Sequence, residues 1–126
     1  MSSNLLRNAL RLNAGFSAAS AAVLIVGGAS LATWLGVPTE IVYIVGFGLL
    51  PFAALAWWTS RTLDRRSTMA IIVGDVVWVV LAFAVIFGVE DAMSAAGAWA
   101  LALVSIVVAD FAIAQTIGLR RLETTS

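Results

Sequence analysis

MAIIVGDVVWVVLAFAVIF, residues 69–87, is a run of 19 residues with a single charged side chain, Asp75. A helix needs about 20 apolar residues to cross the hydrocarbon core of a bilayer, so this run reads as a transmembrane helix. Three further stretches of similar length share its character: 14–34, 41–60 and 98–117. The breaks between them carry turn residues or charge: Gly36 to Glu40, Arg61 to Ser67 and Val89 to Gly97. Loops this short make consecutive helices antiparallel neighbours. The expected fold is an all-α membrane protein, an antiparallel four-transmembrane-helix bundle, with residues 1–126 forming one membrane domain. Residues 1–13 are expected as a cytoplasmic or interfacial segment. There Leu5, Leu6, Leu10 and Leu12, interleaved with Arg7 and Arg11, could lie along the membrane surface. Residues 118–126 are expected as a cytoplasmic tail.

Composition points the same way. Of 126 residues, 62% are hydrophobic and 11% charged, whereas an ordinary soluble domain has about 25% charged residues. So short a chain cannot hide that much apolar surface in its own core, so much of its solvent must be lipid. The chain has no cysteine, which excludes disulfides and thiol chemistry. It has no histidine, which removes the commonest metal ligand and the usual proton shuttle at neutral pH. No metal site is expected, and no cofactor beyond a lipid or quinone lodged between helices. The net charge of zero leaves no basic footprint for nucleic acid. All seven basic residues are arginine. Together with the abundant alanine, that suggests a GC-rich bacterial genome and hence a bacterial inner membrane.

Arginine placement sets the direction. Arg7 and Arg11 precede the first span, Arg61, Arg65 and Arg66 separate the second from the third, and Arg120 and Arg121 follow the fourth. The other two loops carry the acids Glu40, Glu90 and Asp91. Cytoplasmic loops are enriched in Lys and Arg, so both termini are expected in the cytoplasm. Trp34, Tyr43 and Trp99 then fall near the outer interface and Trp57 and Trp58 near the inner one, as aromatic belts do. The first apolar stretch is longer than the core of a cleaved signal peptide. Each half repeats one plan, arginines then helix then acidic loop then helix, which leaves a tandem hairpin duplication open; identity between the halves is low.

Lipid supplies no hydrophobic drive for helix association, so small residues must let backbones approach. Ala98, Ala102, Ser105, Ala109, Ala112 and Thr116 form such a stripe on the fourth span, and Ala14, Ala18, Ala21, Gly28 and Ala32 on the first. Pro51, inside the second span, is expected to kink it and to free the carbonyl of Phe47.

Asp75 and Asp110 are the informative positions, because carboxyls inside a span are costly and mark function by default. Each sits about seven residues from the cytoplasmic end of its span, roughly 10 Å deep, so the two are expected to meet and to share one or two protons. Asn13, Ser17 and Ser20 form one face of the first span at a similar level, and Trp78 offers an indole N–H three residues from Asp75. Gln115 is angularly offset from Asp110 and is not expected on the same face. The outer half is nearly apolar.

Three functional classes follow. The first is an accessory, assembly or structural subunit of a membrane complex. Its polar residues latch the bundle and its lipid-facing surface docks other membrane-protein subunits or further copies of itself. The second is a proton-coupled transporter or channel component using Asp75 and Asp110, which the dry outer half disfavours. An enzyme is not expected, since there is no nucleophile–base pair and no nucleotide motif.

Overall fold

The apolar and small residues of the first span continue backwards through Leu10 and Leu6, one turn at a time, and the helix continues with them. The computed structural model describes residues 2–88 and 94–125. They form α1 (Ser2–Leu35), α2 (Thr39–Thr62), α3 (Arg65–Gly88) and α4 (Ala95–Thr125). All four are long and apolar enough to cross a membrane. Glu90 and Asp91, assigned above to the third loop, lie outside the described residues.

The turns follow from local chemistry. Gly36, at φ 75°, closes α1 with its N–H on the Ala32 carbonyl at 2.9 Å; positive φ at this helix-ending position favours glycine. Pro38 then precedes α2 with extended φ and ψ. Between α2 and α3 there are only Leu63 and Asp64, so Arg61, Arg65 and Arg66 sit on helix ends rather than in a seven-residue loop. Asp64 caps α3 by accepting the Ser67 backbone N–H at 3.0 Å, which satisfies a donor that the first turn leaves free. Ser94 caps α4 in the same way, accepting from Gly97 at 2.9 Å. Its hydroxyl also donates to the Trp34 carbonyl at 2.7 Å, which ties the start of α4 to the end of α1.

The helices enclose a core that is densest where α1 begins. Leu6, Leu10, Ala14, Ala56, Ile71 and Leu119 pack together there. The described part of the segment 1–13 is the first third of α1, and its Leu6 and Leu10, which could have faced a membrane surface, are fully buried against the other helices. The spacing of Leu6, Leu10, Asn13, Ala14 and Ser17 keeps one face of α1 inward across the assumed boundary, and a continuous buried stripe holds a helix in the bundle. The outside is covered with large apolar side chains, among them Val26, Phe87, Trp99 and Val80. Soluble monomers rarely expose such surface contiguously; a bilayer suits it.

α1 is interrupted once, by a kink at Gly28 with φ 34° and ψ −112°, values that disfavour any side chain. The Tyr43 ring and hydroxyl fill the space beside it. α2 carries Pro51 inside a single helical element.

Close approach of α1 and α4 depends on Gly118. A Cβ there would lie 2.9 Å from the Leu6 backbone N and Cα, and backbone cannot rotate aside as a side chain can. Gly118→Val is expected to lower unfolding stability in mixed micelles by about 1–3 kcal/mol, the usual cost of overpacking. Gly48→Ala, whose Cβ meets nothing within 4 Å, is expected to leave stability unchanged or slightly raised.

Candidate functional site

Three helices each contribute one polar side chain to a single buried point. Asn13 of α1, Asp75 of α3 and Gln115 of α4 are 1%, 3% and 0% exposed. Asn13 Nδ2 donates to Asp75 Oδ2 at 2.8 Å and to Gln115 Oε1 at 2.9 Å. Gln115 Nε2 donates to the same Asp75 Oδ2 at 2.9 Å. Ser17 Oγ donates to Asn13 Oδ1 at 3.3 Å, which fixes the Asn13 amide with its NH2 toward the carboxyl. The triangle is closed, and each helix is held to the other two.

Local sequence explains the placement. Asn13 and Ser17 are four residues apart, so they share the buried face of α1 with Leu6, Leu10 and Ala14. Asp75 lies one turn beyond Ile71 and Ile72, both buried. Gln115 falls between buried Ala112 and Leu119. The cluster lies six residues along α1 from Arg7, about 9 Å, and Arg7 Nε donates to the Ser60 carbonyl at the end of α2. The side chain–side chain hydrogen bonds of the triangle, Ser17–Asn13, Ser67–Asp64 and Arg65–Glu123 all lie toward this end of the bundle. In an apolar surrounding such bonds matter because the alternative is an unsatisfied polar group.

Asp110 is not part of it, and here the sequence expectation is corrected. Its side chain is exposed on the outside of α4, with no hydrogen bond or ion pair among the described residues. It lies five residues from Gln115, about 7.5 Å along the axis and roughly 140° around it. Only one of the two can face inward, and the packing of Gly118 and Leu119 against the start of α1 turns Gln115 in. The carboxyl pair expected from equal depth is replaced by one carboxyl and two amides.

The remaining candidates lie around the triangle without joining it. Ser20 is half-buried and makes no hydrogen bond to the triangle. The Trp78 indole Nε1 is buried without a hydrogen-bond partner among the described residues. Arg11 lies over the Trp57 ring, 5.6 Å from its centroid.

Chemically the triangle is suited to joining helices. Asp75 receives both amide donors on one oxygen, and the Ser17 hydroxyl is turned to Asn13 rather than to the carboxyl. Comparison with protein-family models finds no match, and neither the curated proteins nor the solved structures yield one.

Proposed function

We propose that this chain is a small, non-enzymatic accessory subunit of a bacterial inner-membrane complex. In this reading it is an antiparallel bundle with both termini in the cytoplasm that acts by docking against another membrane protein. The observation that carries it is Asp110, exposed on α4 and without a partner among the described residues. A carboxylate facing lipid at depth costs about 2.5–3.5 kcal/mol on insertion scales. A partner helix offering an arginine, a lysine or a hydrogen-bond donor at that level relieves the cost.

The surroundings of Asp110 fit such a helix. Ile106, Val107, Ile113 and Ile117 are exposed on the same side of α4. Beside them runs an open groove of about 270 Å³ between α3 and α4, lined by Ile72 and Val76 on one side and Ala112 and Thr116 on the other. The internal triangle supports the same reading, since it gives the bundle its own register and leaves the outer face available. The antiparallel arrangement is supported by three contacts that bring helix starts beside helix ends: Arg7 with Ser60, Leu6 with Gly118 and Arg65 with Glu123. All seven arginines then fall toward one end, which supports cytoplasmic termini. The alternative, a proton-coupled carrier using Asp75 and Asp110, needs both carboxyls on one path, whereas Asp75 faces inward and Asp110 outward.

The absence of cysteine from the sequence makes the test direct. A photoreactive group on Ile113→Cys, one turn from Asp110, is expected to cross-link in native membranes to one discrete partner chain. The same group on Val26→Cys, 88% exposed on α1, is expected to find lipid. The Ile113 product should vanish when Asp110→Leu is added. A product that survives Asp110→Leu, or no protein product at Ile113, would falsify the docking reading.

A further inference from the structure

A second surface, between α1 and α2, carries a different chemistry. Arg11 and Trp57 stand at one end of an open groove of about 420 Å³. Beyond them it is lined by Ala14, Gly15 and Ala18 on α1 and by Leu50, Ala53 and Ala54 on α2, small residues except for Leu50. A Cβ on Gly15 would meet nothing within 4 Å, so the floor is open space rather than packed protein. From Arg11 to Ala18 the groove runs about 10 Å along the helix.

Charge distinguishes this groove from an ordinary dip in the surface. The Arg11 guanidinium is held over the Trp57 ring, and no carboxylate pairs with it among the described residues. Arg61 follows Trp57 by one turn and is exposed, and Arg7 lies one turn before Arg11. α1 contains no acid, and the one acid of α2, Glu40, is at its opposite end. The salt bridge at this end, Arg65 with Glu123, joins α3 to α4. The acid nearest in sequence, Asp64, three residues after Arg61, accepts from the Ser67 N–H and hydroxyl at the start of α3. The groove itself is lined by Arg11 and by no carboxylate, with Arg7 and Arg61 one turn away along the two helices.

We propose that this groove is a binding site for one anionic phospholipid of the inner leaflet, with its headgroup phosphate on Arg11 and the first part of an acyl chain on the Ala–Gly floor. Clustered basic residues at the cytoplasmic side of membrane helices recognise anionic headgroups. A guanidinium pre-set over an aromatic ring loses little freedom on binding phosphate. The site depends on the chain spanning a membrane and is independent of the partner proposed for Asp110.

Native mass spectrometry of the detergent-purified chain tests it, with phosphatidylglycerol and phosphatidylcholine of identical acyl chains. The wild type is expected to retain a single phosphatidylglycerol in preference to phosphatidylcholine. Arg11→Gln should lower that retention about fivefold, the effect of one arginine near an anionic surface. Gly15→Phe, which fills the floor, should lower retention of both lipids. Gly48→Phe, placed in open space outside the groove, should behave as the wild type. Arg11 is exposed, so its variant tests the headgroup half even where Gly15→Phe fails to fold. Equal retention of the two lipids by the wild type overturns the proposal. So does undiminished phosphatidylglycerol binding in Arg11→Gln, or a loss in Gly48→Phe as large as in Gly15→Phe.

Discussion

Replacing Asp75 by leucine is expected to lower the unfolding free energy of the bundle in mixed micelles by roughly 2–4 kcal/mol, because two buried amides lose their acceptor. Asn13 Nδ2 and Gln115 Nε2 both donate to Asp75 Oδ2, and neither can turn to water. Asp75→Asn should behave differently. Its amide carbonyl can occupy the position of that one oxygen and accept both bonds, so the expected loss is below about 1 kcal/mol. Gln115→Leu should fall between them, since Asn13 and Asp75 remain bonded to each other. The order Asn, then Gln115→Leu, then Asp75→Leu identifies a latch. A proton-coupling role predicts instead that Asp75→Asn folds normally and abolishes function, because asparagine keeps the hydrogen bonds and cannot titrate. Unfolding curves and a cellular assay on the same variant separate the two.

Asp110→Leu is expected to have opposite effects on the isolated chain and on its assembly. In the isolated chain it removes a carboxylate from the lipid-facing side of α4, which should ease insertion by about 2–3 kcal/mol on translocon-derived scales. In the membrane it should dissociate the chain from its partner, because the group that the partner satisfies is gone. A substitution that damaged folding would move both measurements downward. Only a docking residue gains in one and loses in the other. Insertion efficiency of α4 and co-purification of the partner from mild detergent make the two readouts.

The four helices were legible from apolar run length alone, because each span is long and the breaks at Gly36–Glu40 and Arg61–Ser67 interrupt it with turn residues or charge. The ends of α1 and α4 were not. Leu6 and Leu10 read equally well as the apolar side of a surface helix or as a buried stripe, and tertiary contact with Gly118 and Leu119 decides for burial. The same contact decides the site. The small-residue stripe of α4 leaves Gln115 and Asp110 each about 100° away on opposite sides, so the stripe by itself does not choose between them. The apolar runs 69–87 and 98–117 put Asp75 and Asp110 at about the same distance from their ends. The residue level with Asp75 is Gln115, because α3 begins at Arg65 and α4 runs on to pair Glu123 with it. The angular offset between Gln115 and Asp110 was readable; which of them faces inward was not, since it depends on the path of α1. Asn13 and Ser17 needed no such information, because their spacing places them on one face whatever the partner.

Together these features divide the molecule's polar groups by direction. Asp75, Asn13 and Gln115 satisfy one another inside, Asp110 is exposed and has no partner among the described residues, and Arg11 stands at the end of an open groove. On the proposed reading such a bundle holds its own register and leaves its outer face for a partner. The most direct test is the mass of the particle extracted from native membranes in polymer-bounded lipid discs, compared for the wild type, Asp75→Asn and Asp110→Leu. A defined assembly larger than the 13.2 kDa chain, kept in Asp75→Asn and lost in Asp110→Leu, is the predicted result. Recovery of the wild-type chain alone with lipid, or an assembly that Asp110→Leu leaves intact, would contradict it.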